Sequence, residues 1–298
     1  MEYKQLGKSD LNVSRIGFGC MSLDPLNSES ENILHKALDE GMNYFDTADI
    51  YHGGQNEVML GKVFSGKRDQ VIIATKAGNQ LRPDGKGLNW NPSKKHILAS
   101  VDRSLERLQT DYIDLFQLHG GTINDPIDDV IEAFESLVVS GKIRYYGISS
   151  IRPNVIREYT KRSSIISVMM QYSLLDRRPE EEMLEFLHSK QVGVLARGTI
   201  AKGLLVSKTA EPYLGYSTEQ VAIAAAGMEA AAGKKSLRLE MAIQYALHPP
   251  AVASAVVGIR TEQQLRDVLS LENFAGEHGF LLDDLRNILP ANKYTEHR

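Results

Sequence analysis

The chain has a single cysteine, Cys20, so no disulfide can form within it. No stretch approaches the ~18 apolar residues of a membrane span. The opening segment, MEYKQLGKSD, is polar and carries no apolar signal region. These absences set the expectation of a protein of the reduced cytoplasm that engages no membrane. A positive surplus is missing too: 34 Lys and Arg face 38 Asp and Glu, for a net charge of −4. The electrostatic footprint of a nucleic-acid binder is therefore not expected. No Pro/Gly/Ser-rich linker and no low-complexity tract divides the chain, which reads as one domain over residues 1–298. A G-x-G-x-x-G fingerprint is also lacking. GFGCMS, after Ile16, fails at the third glycine, which excludes a Rossmann dinucleotide site.

What is present is alternation. Apolar, β-branched runs read as buried parallel strands at 15–20, 42–48, 71–76, 112–119, 144–149, 167–171, 192–197 and 254–259. Helical patterns fall between them. Ile97, Leu98, Val101, Leu105 and Leu108 share one face of a segment from Lys94 to Leu108, and Val130, Ile131, Phe134, Leu137 and Val138 share one from Asp128 to Val139. Met183, Leu184 and Leu187 begin another stripe, and Leu239, Ala242, Ile243 and Ala246 form a further one. MEAAAGKKSLRLEMA reads as a helix former, and LDDLRNIL as the last helix. Eight βα pairs close into a (β/α)8 TIM barrel, which takes about 250 residues. The first residues, YKQLGKSDLNVSRIG, read as a β-hairpin plugging the barrel bottom. Two insertions, 77–92 and 198–235, follow strands on the ligand-binding face, and the first is read as a polar loop.

Four polar residues stand at or just past strand ends: Asp46, Tyr51, Lys76 and His119. Singly, each has a plain reading: a solvated lysine, a structural histidine. As a set they suit proton transfer to a carbonyl oxygen. Tyr51 can supply the proton. Its ordinary pKa is about 10, which a neighbouring Lys76 would lower, with Asp46 keeping the ammonium charged and aimed. His119 can orient the substrate oxygen. Hydride needs a cofactor, because no side chain provides one. A phosphate site is read in VVGIRTEQQL: Gly258 ends the eighth strand, Thr261 and Gln264 form a capping box, and Arg260 stands beside the helix start.

With these residues in view, the chain resembles the aldo-keto reductases of the bacterial branch from about residue 3 to about residue 273. The resemblance is carried by FDTADIYHGGQNEVMLG, ATK, LQTDYIDLFQLH, GKIRYYGISS, MMQYSLLDR and AKGLL. It implies a barrel that binds NADPH and no metal, with Asp46, Tyr51, Lys76 and His119 as the catalytic four. It implies that Ser149, Ser150 and Gln171 hold the nicotinamide carboxamide and that Gly203 and Leu204 line the pyrophosphate path. Gly19, Cys20, Met21, Gly198 and Gly258 would complete the cofactor cleft. Arg260 and Gln264 would take the adenosine end, where a cation favours the 2′-phosphate of NADPH. Three departures from the family pattern are visible: Ser149-Ser150 for Ser-Asn, Arg197-Gly198 for a stacking aromatic, and no Lys-Ser pair after the eighth strand. A guanidinium can stack on a ring, so Arg197 can replace the aromatic.

The expected activity is reduction of aldehydes, and some ketones, to alcohols, in aldehyde detoxification or similar metabolism. A small carbonyl substrate would meet walls formed by His52 and Trp90. A monomer or small homo-oligomer is expected. Two other readings stand beside this one: a slow-turnover nicotinamide sensor or regulatory subunit, and a Schiff-base aldolase using Lys76, which the charge imposed by Asp46 disfavours.

Overall fold

The computed structural model describes residues 1–82, 84, 86–232, 237–271 and 284–298. The chain opens with β1 (Tyr3–Gln5) and β2 (Asn12–Ser14), an antiparallel pair. Then β3 (Ile16–Gly19), α1 (Ser28–Asp39), β4 (Tyr44–Asp46), α2 (Gln55–Val63) and β5 (Ile72–Ala77) begin the alternation. A second antiparallel pair follows, β6 (Asn79–Leu81) with β7 (Leu88–Trp90). The remainder is α3 (Lys94–Leu108), β8 (Ile113–Leu118), α4 (Ile127–Val139), β9 (Ile143–Ser149), α5 (Pro153–Arg162), β10 (Ser167–Gln171), α6 (Met183–Ser189), β11 (Gly193–Arg197), α7 (Thr218–Ala232), α8 (Arg238–Leu247), β12 (Val252–Gly258) and α9 (Glu262–Leu269).

Eight parallel strands close into a barrel in the order β10-β11-β12-β3-β4-β5-β8-β9. The (β/α)8 architecture follows from side-chain layout. One face of each strand points at the helices, where Phe18, Phe45, Ile73, Phe116 and Val168 join buried apolar residues of α1 to α9 in one large cluster. The other face fills the barrel with Tyr44, Ile72, Ala74, Leu115, Met169, Leu195 and Val256.

The hairpin closes the bottom. Leu6, Leu11 and Val13 are buried among the interior residues. Lys4 donates to the carbonyls of Pro250 and Val252 at the start of β12 (2.7 and 3.1 Å). Gly7 sits at φ +58, where an added Cβ would lie 2.3 Å from the Ile166 carbonyl oxygen. Only glycine reconciles that turn with so close an approach.

Both insertions hold more structure than expected. Within residues 77–92, where a loop was expected, β6 (Asn79–Leu81) pairs antiparallel with β7 (Leu88–Trp90). Residues 198–235 contain α7, an alanine-rich helix whose apolar residues run around its circumference and so leave no stripe to read. The helix expected over 228–242 falls partly outside the described residues, as does the start of LDDLRNIL. Among the described residues no helix is long and apolar enough to cross a membrane.

Candidate active site

A cavity of about 1010 Å³ opens at the C-terminal ends of the barrel strands. It is lined by Asp46 and Tyr51 from the β4 end, Lys76 from β5 and His119 from just past β8. These strands are neighbours in the barrel, so the four side chains share one wall.

Lys76 is the centre of that wall. It is 1% exposed, and its Nζ donates to Asp46 Oδ1 (2.6 Å) and to the Thr47 carbonyl (2.7 Å). The Nζ also stands 5.5 Å from the Tyr51 ring centre. The Tyr51 and His119 rings meet edge to face at 5.8 Å. Burial pushes the Asp46 carboxyl up from its ordinary range, opposed by Lys76 and then by Arg197. Burial likewise raises the Tyr51 hydroxyl, outweighing the pull of Lys76. The expected lowering by Lys76 is therefore only one contribution, and the resting phenol keeps its proton. His119 is driven down to about 3 by burial, then by Lys76 and Arg197, so its imidazole is neutral at physiological pH.

Local geometry explains how Tyr51 reaches this wall. His52, Gly53 and Gly54 adopt φ of 50, 63 and 92, three successive left-handed residues that turn the chain sharply into α2. The loop is anchored by Thr47 Oγ1 donating to Asn56 Oδ1 (2.6 Å) and by the Asp49 amide donating to the Lys76 carbonyl (3.1 Å). Below it, buried Glu57 accepts from Thr75 Oγ1 (2.6 Å) and pairs with Arg107 (2.6 Å).

The opposite wall is cationic and polar. Arg197 Nη1 donates to Gln171 Oε1 (3.1 Å), and Gln171 Nε2 donates to the Tyr213 hydroxyl (2.8 Å). Gly19, Met21, Ser149, Ser150, Gly198, Gly258 and Arg260 also line the cavity. Cys20 and Leu204 are buried in the large core cluster instead, and Gly203 packs against the Lys208 side chain. Thr261 caps α9 by accepting from the Gln264 amide (3.2 Å), but the Gln264 side chain accepts from the amide of Arg260, not of Thr261 (2.9 Å). The capping box is thus displaced by one residue, and Gln264 positions the backbone beneath Arg260.

Neither expected substrate wall residue stands among those lining the cavity. His52 is exposed, because its left-handed backbone directs it away from the barrel. Trp90 donates from Nε1 to both oxygens of Asp125 (3.0 Å each), with its ring against Gly78 and Gly120. That side of the cavity is lined by Asn79 and Leu88 of the hairpin. Sequence reasoning also missed Arg152, Lys202, Tyr213 and the tail residues Tyr294 to His297. The tail is tied down by the Tyr294 amide donating to Glu181 Oε2 (3.1 Å) and by the Asn154 amide donating to the His297 carbonyl (2.9 Å).

The sequence model described as "Aldo/keto reductase family" matches residues 15–277. This chain belongs to the aldo/keto reductase family. It is an oxidoreductase of that family by the same match. It is 49% identical to "Uncharacterized oxidoreductase YqkF" of Bacillus subtilis, over 92% of each chain. It is 32% identical to "Aldo-keto reductase yakc [NADP(+)]" of Schizosaccharomyces pombe, over 67% of this chain and 62% of that one. The holo form of aldo-keto reductase AKR11C1 from Bacillus halodurans superposes with a TM-score of 0.94 at 44% identity, over 100% of this chain and 99% of that one.

The residues present fit the dinucleotide this family uses. Buried Thr199 lines the cavity with a hydroxyl that has no hydrogen-bond partner among the described residues. Among the described residues, Arg197, Lys202 and Arg260 line it without a carboxylate partner. Unpaired cations and a spare hydroxyl on one wall suit a polyanionic ligand with an amide-bearing ring.

Proposed function

We propose that the chain reduces small aldehydes, and some ketones, to alcohols with NADPH. One observation carries the reading: Tyr51 meets His119 edge to face and stands 5.5 Å from the Nζ of a buried Lys76 paired with Asp46. Gln171 and Ser149 would hold the nicotinamide amide, with Arg197 against the ring and Lys202 and Thr199 toward the phosphates. Arg260 would meet the 2′-phosphate, which favours NADPH over NADH, and the fission-yeast relative carries NADP(+) in its name. Bound there, the reduced nicotinamide supplies hydride to the carbonyl carbon.

The protein's own residues supply the rest. His119, being neutral, donates one hydrogen bond to the carbonyl oxygen without competing as an acid. Tyr51 gives that oxygen its proton. The phenolate left behind is stabilised by the Lys76 ammonium, which Asp46 and the Thr47 carbonyl fix in place. The same two contacts occupy two of the three N–H bonds of Lys76, which disfavours its use as a Schiff-base nucleophile.

The test follows NADPH absorbance with 4-nitrobenzaldehyde, comparing wild type with Tyr51→Phe and repeating with NADH. Turnover that collapses by about 10²–10⁴-fold in the variant, with NADPH binding retained, is the expected result. Tight NADPH binding without turnover of any aldehyde would overturn the reading in favour of a sensor.

A further inference from the structure

The cavity's charge is opposite to that of the chain. Six cationic side chains line it (Lys76, Arg152, Arg178, Arg197, Lys202 and Arg260) against two carboxylates, Asp46 and Glu296. Yet the protein as a whole carries −4. Two of the six are neutralised in place. Lys76 pairs with Asp46, and Arg178 makes a two-pronged contact with Asp176 (2.7 Å on each arm). Arg197 ends β11, Lys202 follows it and Arg260 follows β12, on the wall assigned above to the dinucleotide. Arg152 is left over.

Its position is distinctive. Arg152 follows β9, whose barrel neighbour β8 leads directly into His119. The Arg152 Nη1 donates to the carbonyl of Gly121, two residues beyond His119. The guanidinium is therefore fastened at one corner to the loop that carries the histidine. Its Nε and Nη2 edge has no partner among the described residues. Of the carboxylates on that side, Asp125 is engaged by Trp90 and Thr122, and Glu296 is exposed, 3.7 Å from His297 Nε2. A half-buried guanidinium held at one corner presents two parallel N–H groups at fixed spacing, which is the geometry that receives a carboxylate.

We infer that the substrate is an aldehyde bearing a carboxylate, and that Arg152 is the residue that selects it. This rests on the reductase reading above. The carbonyl oxygen sits between Tyr51 and His119, and the far end of the molecule carries the anion to Arg152. The guanidinium acts on specificity and takes no part in proton transfer, so its contribution appears in KM for the anionic substrate.

The test uses the NADPH-loaded enzyme with two aldehydes alike but for charge, 4-carboxybenzaldehyde and methyl 4-formylbenzoate. Wild type should favour the carboxylate by about tenfold or more in kcat/KM, mostly through KM. Arg152→Met should reduce that ratio to near unity, and Arg152→Lys, which keeps charge but loses the fork, should fall between. A second measurement needs no variant: in wild type the ratio should shrink as salt is raised, cofactor effects cancelling between the two aldehydes. A wild-type ratio near unity, or a ratio unchanged in Arg152→Met, overturns the inference while leaving the reductase reading standing. Turnover of neither aldehyde overturns both.

Discussion

Replacing Asp46 with Asn removes the counter-charge of an ammonium that is 1% exposed and bound at 2.6 Å. The neutral Asn amide oxygen and the Thr47 carbonyl, at 2.7 Å, remain as acceptors, but neither carries a compensating charge. Stripping one member from a buried pair costs about 3–5 kcal/mol, whereas removing both is close to neutral. Asp46→Asn should therefore be less stable than the Asp46→Asn/Lys76→Met double variant, an ordering that independent contributions cannot produce. Activity should behave differently. With Lys76 Nζ 5.5 Å from the Tyr51 ring centre, Coulomb's law at an effective dielectric of about 20 gives about 3 kcal/mol for stabilising a phenolate. That corresponds to about 100-fold in rate. The double variant should recover stability and remain at least that much slower. Urea denaturation gives the stabilities, and NADPH oxidation with 4-nitrobenzaldehyde gives the rates. An Asp46→Asn variant as stable as wild type would refute the buried-pair reasoning. A double variant that regains activity with its stability would refute the role of the ammonium.

Other outcomes follow from the same structure. His119 is held down near 3 in the fold, against about 6.5 when unfolded. Below pH ~6.5 the unfolded chain binds a proton that the native one refuses, so this contribution to stability is full above that pH and falls as pH drops toward 3. His119→Gln should flatten the acid limb of a stability–pH curve in that window. Asp49 has the opposite sign. Burial and then Glu57 raise it to about 7, so the native state is favoured at low pH and that stability is lost as pH rises from ~3.9 through 7. Asp49→Asn should gain about 1–2 kcal/mol over wild type above pH 7 and little at pH 4, measured by urea denaturation at both. Gly7→Ala should cost about 3 kcal/mol or more, because a methyl group would meet the Ile166 carbonyl oxygen from a φ of +58. A fall in thermal midpoint checks it, and no fall would mean that the hairpin is not seated against the barrel.

The barrel was legible because a fully buried parallel strand leaves a local mark. SVMMQ was expected at 167–171 and forms β10 over those residues. SAVVGI was expected at 254–259, but β12 begins at Val252, one residue beyond a Pro-Pro pair that obscured its start, and ends at Gly258. The β6–β7 hairpin was missed because NQL and LNW are only three residues each, too short for an alternation to stand out. Strand ends could be found from the sequence, and with them the wall carrying Asp46, Lys76 and His119. Trp90 could not be placed, since its partner Asp125 lies 35 residues away. The tail was illegible for the same reason: the Tyr294 amide meets Glu181 across 113 residues. Arg152 looked like an ordinary polar residue before a helix proline, because nothing local marks the carbonyl that holds it.

The hairpin at the base has a consequence for traffic. With Leu6, Leu11 and Val13 seated below, the barrel is stoppered at its base, and the cavity lies at the opposite, strand-end face. On the proposed function, cofactor and carbonyl compound would both enter and leave by that face, so the depth at which each sits would set the order of their exchange.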